Sequence, residues 1–275
     1  MHISLAAETI FNLFGFPITN SMIMTWVTMV VLTVLGFFAG RNPKAVPGML
    51  QNALEAVMEY AMGLTDSILQ DKALTKRVFP LAATFFLLIV LSNWLGLLPG
   101  VGTIGFEQVE HGKTVLTPLL RATNADINST LSWAIISIVM VQVLGVMSLG
   151  AVSYFSKFLN FKALFSGTTE GPINFGVGLL EIFGEISKIV SFSFRLFGNV
   201  FAGEVLLTVI AFLVPYVAPL PFYMLELFVG LIQGVVFTTL TLVFIKIATI
   251  SHGHEHDDVS SSKYHVSGET VGESA

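Results

Sequence analysis

Cysteine is absent from the 275 residues, so disulfides, thiol nucleophiles and thiolate metal sites are excluded. Charge is scarce: Asp, Glu, Lys and Arg make up 11% of the chain, against roughly 25% in soluble domains. The net charge of -5 is spread over loops and the C-terminal tail, and it indicates no nucleic-acid partner. The six histidines all lie near the termini or in a loop, so paired intramembrane haem ligands are lacking and no cofactor is expected. The N-terminus, MHISLAAETIFNLFGF, has no basic n-region and no clear cleavage site. It does not read as a signal or transit peptide, and insertion is expected to rely on the hydrophobic segments themselves.

What the chain has in quantity is apolar sequence: 54% of residues are hydrophobic, 24 of them Phe, with a mean hydropathy of +0.81. Only helices and closed barrels satisfy their backbone in lipid. Long uncharged runs, rather than alternating ten-residue segments, exclude the barrel. The chain is therefore expected to be an all-α integral membrane protein with a single membrane domain over residues 1–250. Five segments meet the ~20-residue requirement for a span: about 21–39, 79–98, 130–154, 174–214 and 222–250. The fourth would be about 60 Å long as one helix, twice the ~30 Å hydrocarbon thickness. It must tilt strongly, break, or lie partly along the membrane plane. Pro215, Pro219 and Pro221 put a sharp turn between the last two spans.

Between the first two spans, residues 46–70 carry Leu50, Leu54, Val57, Met58, Ala61, Met62 and Leu64 at three-to-four spacing, with Glu55, Glu59 and Asp66 largely off that stripe. The pattern predicts an amphipathic surface helix with Pro47 near its first turn; the plain alternative is a linker helix packed on the protein itself. Arg41, Lys44, Lys72, Lys76 and Arg77 flank this helix, and Lys157 and Lys162 precede the fourth span. The positive-inside rule then places the N-terminus outside and the C-terminus in the cytoplasm. Residues 251–275 read as a disordered polar tail. Its His252, His254 and His256 alternate, but a tail without fixed geometry is the simpler reading, and no metal site is assigned.

Ionisable residues concentrate in the fourth span: Glu181, Glu185, Lys188, Arg195 and Glu204. An arginine stays charged in a protein, and at bilayer depth it costs at least ~2.5–3.5 kcal/mol on insertion scales. Such a group marks an ion or substrate pathway with a partner carboxylate; a snorkelling arginine at a helix end is the bland reading. At 100° per residue Glu181, Glu185, Lys188 and Arg195 share one broad stripe, with Ser191 and Asn199 a turn either side of Arg195. Glu204, nine residues beyond Arg195, lies about 180° round the helix and roughly 13 Å along it. In the fifth span Glu226 and Gln233 share a face. The pattern suggests two aqueous half-paths separated by Arg195, whose partner carboxylate belongs to another subunit. The competing reading is one buried ion-pair network holding a helix bundle together.

Several segments resemble a known family, subunit a of the F-type ATP synthase. They are RLFGN at Arg195–Asn199 with AGE at Ala202–Glu204, Leu179–Glu181 with Lys188 and Ser191, NWLGLLPG at Asn93–Gly100, and TPLLRATNADINSTLSWA at Thr117–Ala134. The resemblance runs from the first span to Ile250. It implies a non-catalytic, proton-translocating stator subunit in a bacterial inner membrane. The implied partners are a ring of c subunits and b-type peripheral stalk subunits. By the same resemblance Arg195 matches the essential ring-facing arginine. Asn199, Glu204 and Gln233 match outer proton-path positions, while Glu181 and Ser191 match positions on the cytoplasmic side. Glu226 stands where some members carry histidine. The last two helices are implied to form a long tilted hairpin against the ring. A self-contained secondary transporter is the runner-up, but no internal repeat of the kind those folds carry is visible. The coupling ion reads as H⁺, because no cluster of oxygen ligands for a larger cation is evident.

Overall fold

The computed structural model of the chain describes residues 7–41, 48–102, 104–110, 113–151, 154 and 170–249. The expected polar tail and the Lys157–Lys162 loop lie outside these residues. Among them are six α-helices: α1 (Asn20–Gly40), α2 (Met49–Leu69), α3 (Lys72–Gly96), α4 (Ile127–Leu149), α5 (Glu170–Leu213) and α6 (Pro219–Thr249). All but α2 are long and apolar enough to cross a membrane. The protein is an α-helical membrane protein.

Helix ends follow local chemistry. Asp71 caps α3 by accepting from the Ala73 and Leu74 amides at 2.8 and 3.3 Å. The helix thus begins well before Phe79, with Lys72, Lys76 and Arg77 on its first two turns, and Pro80 lies inside it. Asp126 caps α4 through the Asn128 amide at 3.1 Å. Gly150, with φ of 83°, ends that helix where a side chain would be strained. α5 runs unbroken for 44 residues, about 66 Å at the α-helical rise. That removes a break from the ways of fitting a segment twice the bilayer thickness. Tyr216 takes a positive φ of 87° in the turn before the proline-rich start of α6.

Two small antiparallel hairpins add to the helices: β1 (Thr9–Leu13) with β2 (Phe16–Thr19), and β4 (Gly105–Glu110) with β5 (Lys113–Pro118), preceded by β3 (Pro99–Gly102). Residues 99–126, sparse in helical periodicity, use backbone pairing instead. The hairpins sit with the C-terminal end of α3, the N-terminal ends of α1, α4 and α6, and the C-terminal half of α5.

Lipid gives apolar helices no hydrophobic reason to associate, so packing rests on small residues and interhelical hydrogen bonds. Gly230 and Gly234 let α6 close on α3, where an added Cβ would press on Asn93 and Val90. Phe192 of α5 and Phe85 of α3 meet Phe237 of α6 with ring centroids 4.9 and 5.5 Å apart. α2 lays its Ala61, Thr65 and Leu69 edge on the bundle while Met58 and Met62 stay exposed. Polar pairs cross the interior: Ser137 with Thr241 at 2.8 Å and Thr130 with Ser193 at 3.2 Å. The short 3-10 turn Thr123–Ala125 is fully enclosed. Its Asn124 amide donates to Ser92 Oγ at 2.8 Å and Asn93 Oδ1 at 2.7 Å, and Asn93 donates onward to the Gly230 carbonyl at 3.2 Å.

Asn124→Ala removes two buried hydrogen bonds and strands their acceptors. It is expected to lower stability by about 1–2 kcal/mol, measured as a shift of the unfolding transition in detergent, with a smaller shift for the exposed Thr33→Ala.

Candidate functional site

The ionisable residues of α5 fall into three groups. Near its N-terminal half, Lys188 Nζ donates to Glu185 Oε1 at 2.5 Å and lies 4.8 Å from the centre of the Phe244 ring on α6. Glu181, one turn earlier, is half-buried. Tyr154, beyond the end of α4, donates to Gln142 Oε1 at 2.6 Å and is within electrostatic reach of Glu185 and Glu181.

Arg195 forms the second group. Its side chain is exposed, and Val190 and Phe194 of the same helix are exposed too. Nη2 donates to Ser191 Oγ at 3.4 Å, and the guanidinium carbon lies 6.0 Å from the Phe192 ring centre. Among the described residues no carboxylate pairs with it. Asn199 follows one turn later, half-buried.

The third group centres on Glu204, on the opposite side of α5. Arg121, from the segment before α4, approaches Glu204 with Nε 3.3 Å from Oε1; the arginine is 6% exposed and the glutamate 35%. Nε and Nη2 both reach Oε2 at 3.4 Å. Thr208 Oγ1 donates to the Glu204 carbonyl at 2.6 Å. The Glu226 carboxyl of α6 lies against the bare Cα of Gly203, on the spot a Cβ there would occupy. Glu204, Glu226 and Arg121 together line a cavity of about 140 Å³, with Tyr223, Thr208 and Asn93 as further polar walls. The cavity is large enough for several waters. Val200, Val229 and Gly230 line it as well, and neither Asn199 nor Gln233 is among its lining.

The structure thus brings Glu204 and Glu226 into one cavity, joins Glu185 to Lys188, and leaves Arg195 facing outward between the two groups. Residues 22–246 match the protein family described as ATP synthase A chain. The chain belongs to that family. It is 30% identical over 245 residues to ATP synthase subunit a of Moorella thermoacetica, covering 89% of this chain and 96% of the relative. The Gloeobacter violaceus ATP synthase subunit a is 36% identical over 240 residues, 86% of each chain. That of Syntrophobacter fumaroxidans is 34% identical over 234 residues, 84% of each.

Arg121 is the residue that sequence reasoning passed over. It reads as one charge in a mixed loop, since Glu107, Glu110, Lys113 and Asp126 surround it in the sequence. The available signal was the run of uncharged and capping residues after it, Ala122–Ala125 then Asp126, which suits a buried turn better than a solvated loop. Tyr154 carried no signal, because a tyrosine at the end of an apolar span is an ordinary interfacial residue; Gln142, a polar residue midway along the apolar run 130–154, did carry one and was passed over.

The Glu226 carboxyl is the far end of a flexible side chain, so a methyl group at Gly203 should push it aside without unfolding the bundle. Gly203→Ala is expected to change stability by less than about 0.5 kcal/mol. It should nevertheless alter the rate at which Glu226 reacts with a carbodiimide, read by peptide mass spectrometry.

Proposed function

We propose that this chain is the proton-translocating stator subunit of a rotary F-type ATP synthase, as its relatives' name, ATP synthase subunit a, indicates. It is not catalytic by itself. One half-path runs through the Glu204–Glu226 cavity from the outer side. The other runs past Glu181, Glu185, Lys188 and Ser191 from the cytoplasmic side. Asn199 and Gln233 line the outer path where it nears the ring. Arg195 stands between the two paths and meets the carboxylates of a ring of c subunits. The membrane is a bacterial inner membrane, with the N-terminus outside and the C-terminus in the cytoplasm, and b-type stalk subunits hold the subunit still.

The observation that carries this reading is the guanidinium of Arg195, which has no carboxylate partner among the described residues, on an apolar outer surface. A charge in lipid without a counter-ion is costly. A partner that presents an ionised carboxylate relieves that cost, and a protonated one does not. A ring whose carboxylates must lose the proton before passing Arg195 and regain it afterwards therefore exchanges protons with one half-path on each side. The opposite faces of Arg195 and Glu204 on one unbroken helix keep the two paths from joining.

Lysine can lose its proton when desolvated and lacks the planar fork of arginine. Arg195→Lys is expected to cut proton-driven ATP synthesis by at least about 100-fold, the equivalent of ~2.5–3.5 kcal/mol of charge placement. Near-normal synthesis by the assembled Arg195→Lys complex in vesicles would remove Arg195 from the mechanism.

Sidedness is tested by introduced cysteines in this cysteine-free chain. Cysteines at 181, 185 and 191 are expected to react with aqueous thiol reagents from the cytoplasmic side, and those at 204, 226 and 233 faster from the outer side. Similar rates for both sets from one side would indicate a continuous pore and favour a transporter.

A further inference from the structure

One wall residue of the cavity that Glu204 and Glu226 line, Pro118, is touched by a segment far away in sequence. Thr9 pairs with Thr19 across the first hairpin, which folds residue 8 back beside the start of α1. There the Asn20 amide donates to the Glu8 carbonyl at 3.1 Å. The fully buried Asn20 side chain reaches the Pro118 carbonyl at 3.4 Å, and Pro118 is part of the cavity wall. Ser21 Oγ donates to Asp126 Oδ2 at 2.8 Å, so the start of α1 is tied to the same stretch of chain that carries Arg121. Glu8 Oε2 is buried, and its carboxylate acts electrostatically on Glu204.

We propose that Glu8 is a third proton-collecting carboxylate of this cavity and takes up the proton before Glu204 and Glu226 do. The proposal rests on the proton-path reading above. Glu8 precedes the first span, so of the three it stands nearest the aqueous end. Glu204 and Glu226 project from the spanning helices α5 and α6. Arg121 pairs with Glu204, Glu226 lines the same cavity, and Glu8 acts electrostatically on Glu204. In such a set the protons belong to the group rather than to any one member, and they pass along it as charge is redistributed. A carboxylate at the mouth also raises the local proton concentration. The proton leaves Glu8 for a bridging water and reaches Glu204 or Glu226 by the same kind of step, with no other reactant required.

The test is proton uptake by the intact complex in vesicles, driven from the side the cavity faces. Glu8→Gln keeps the size and hydrogen-bonding shape of the side chain but cannot carry the proton. It is expected to slow uptake about threefold to tenfold, the low end of what charge focusing contributes, with Glu8→Asp restoring most of the rate. Combined with Glu204→Gln, it should cost less than the product of the single effects. A Glu8→Cys complex gives a within-sample check, since modification of the assembled protein by a cationic thiol reagent should slow uptake further.

Wild-type uptake in Glu8→Gln beside a slow Glu204→Gln would overturn the role of Glu8 and leave the path reading intact. Wild-type uptake in both variants would overturn both. Equal losses in Glu8→Asp and Glu8→Gln would reduce Glu8 to a structural hook and overturn the proposal.

Discussion

The amide of Asn124 holds the strand-bearing end of the bundle together. Irregular backbone within a membrane protein survives only where protein, not lipid, surrounds it. The enclosed turn Thr123–Ala125 meets that condition by bonding to Ser92 and Asn93 of α3, and Asn93 passes the connection to the Gly230 carbonyl of α6. With the turn fixed, Arg121 just before it is held inside the cavity, Asp126 just after it caps α4, and Ser21 of α1 is drawn to Asp126. Four helices and the counter-charge of Glu204 therefore share one small polar knot.

The second constraint is the continuity of α5. A helix of 44 residues keeps a fixed angular relation between every pair of its side chains. Arg195 and Glu204 face opposite ways for that reason alone, one to the apolar exterior and the other to the inward cavity. Glycine at 203 then allows α6 to bring Glu226 against the same helix. Burial divides the charges in the same way. Glu185 and Glu204 each have a cation at hand, whereas Arg195, among the described residues, meets the Ser191 hydroxyl and the Phe192 ring and no carboxylate.

Much of this was legible in the chain. The apolar runs, the prolines between α5 and α6, and the basic flanks of α2 and α3 are local features, and the helices they imply are there. The half-turn between Arg195 and Glu204 follows from spacing. The boundaries were less legible. Lys72, Lys76 and Arg77 discouraged a helix start that the Asp71 cap in fact provides, and the hairpin of β4 and β5 lacks the alternation that would announce it. The α2 stripe was clear, but the periodicity is the same whether it meets lipid or protein, and its Ala61, Thr65 and Leu69 edge meets α3 and α6.

By itself the sequence determined that this protein is helical, that it lies in a membrane, and that its charges gather on the fourth span. Those properties depend on transfer of side chains into lipid and on helical periodicity, both of which act along neighbouring residues. The tertiary structure decided which charges are paired. It set Arg121 beside Glu204 across 83 residues and brought Glu226 to Gly203. Glu8 is likewise folded back beside Asn20 at the start of α1. Such contacts depend on packing among helices distant in the chain, and the spacing of residues along one helix carries no information about them.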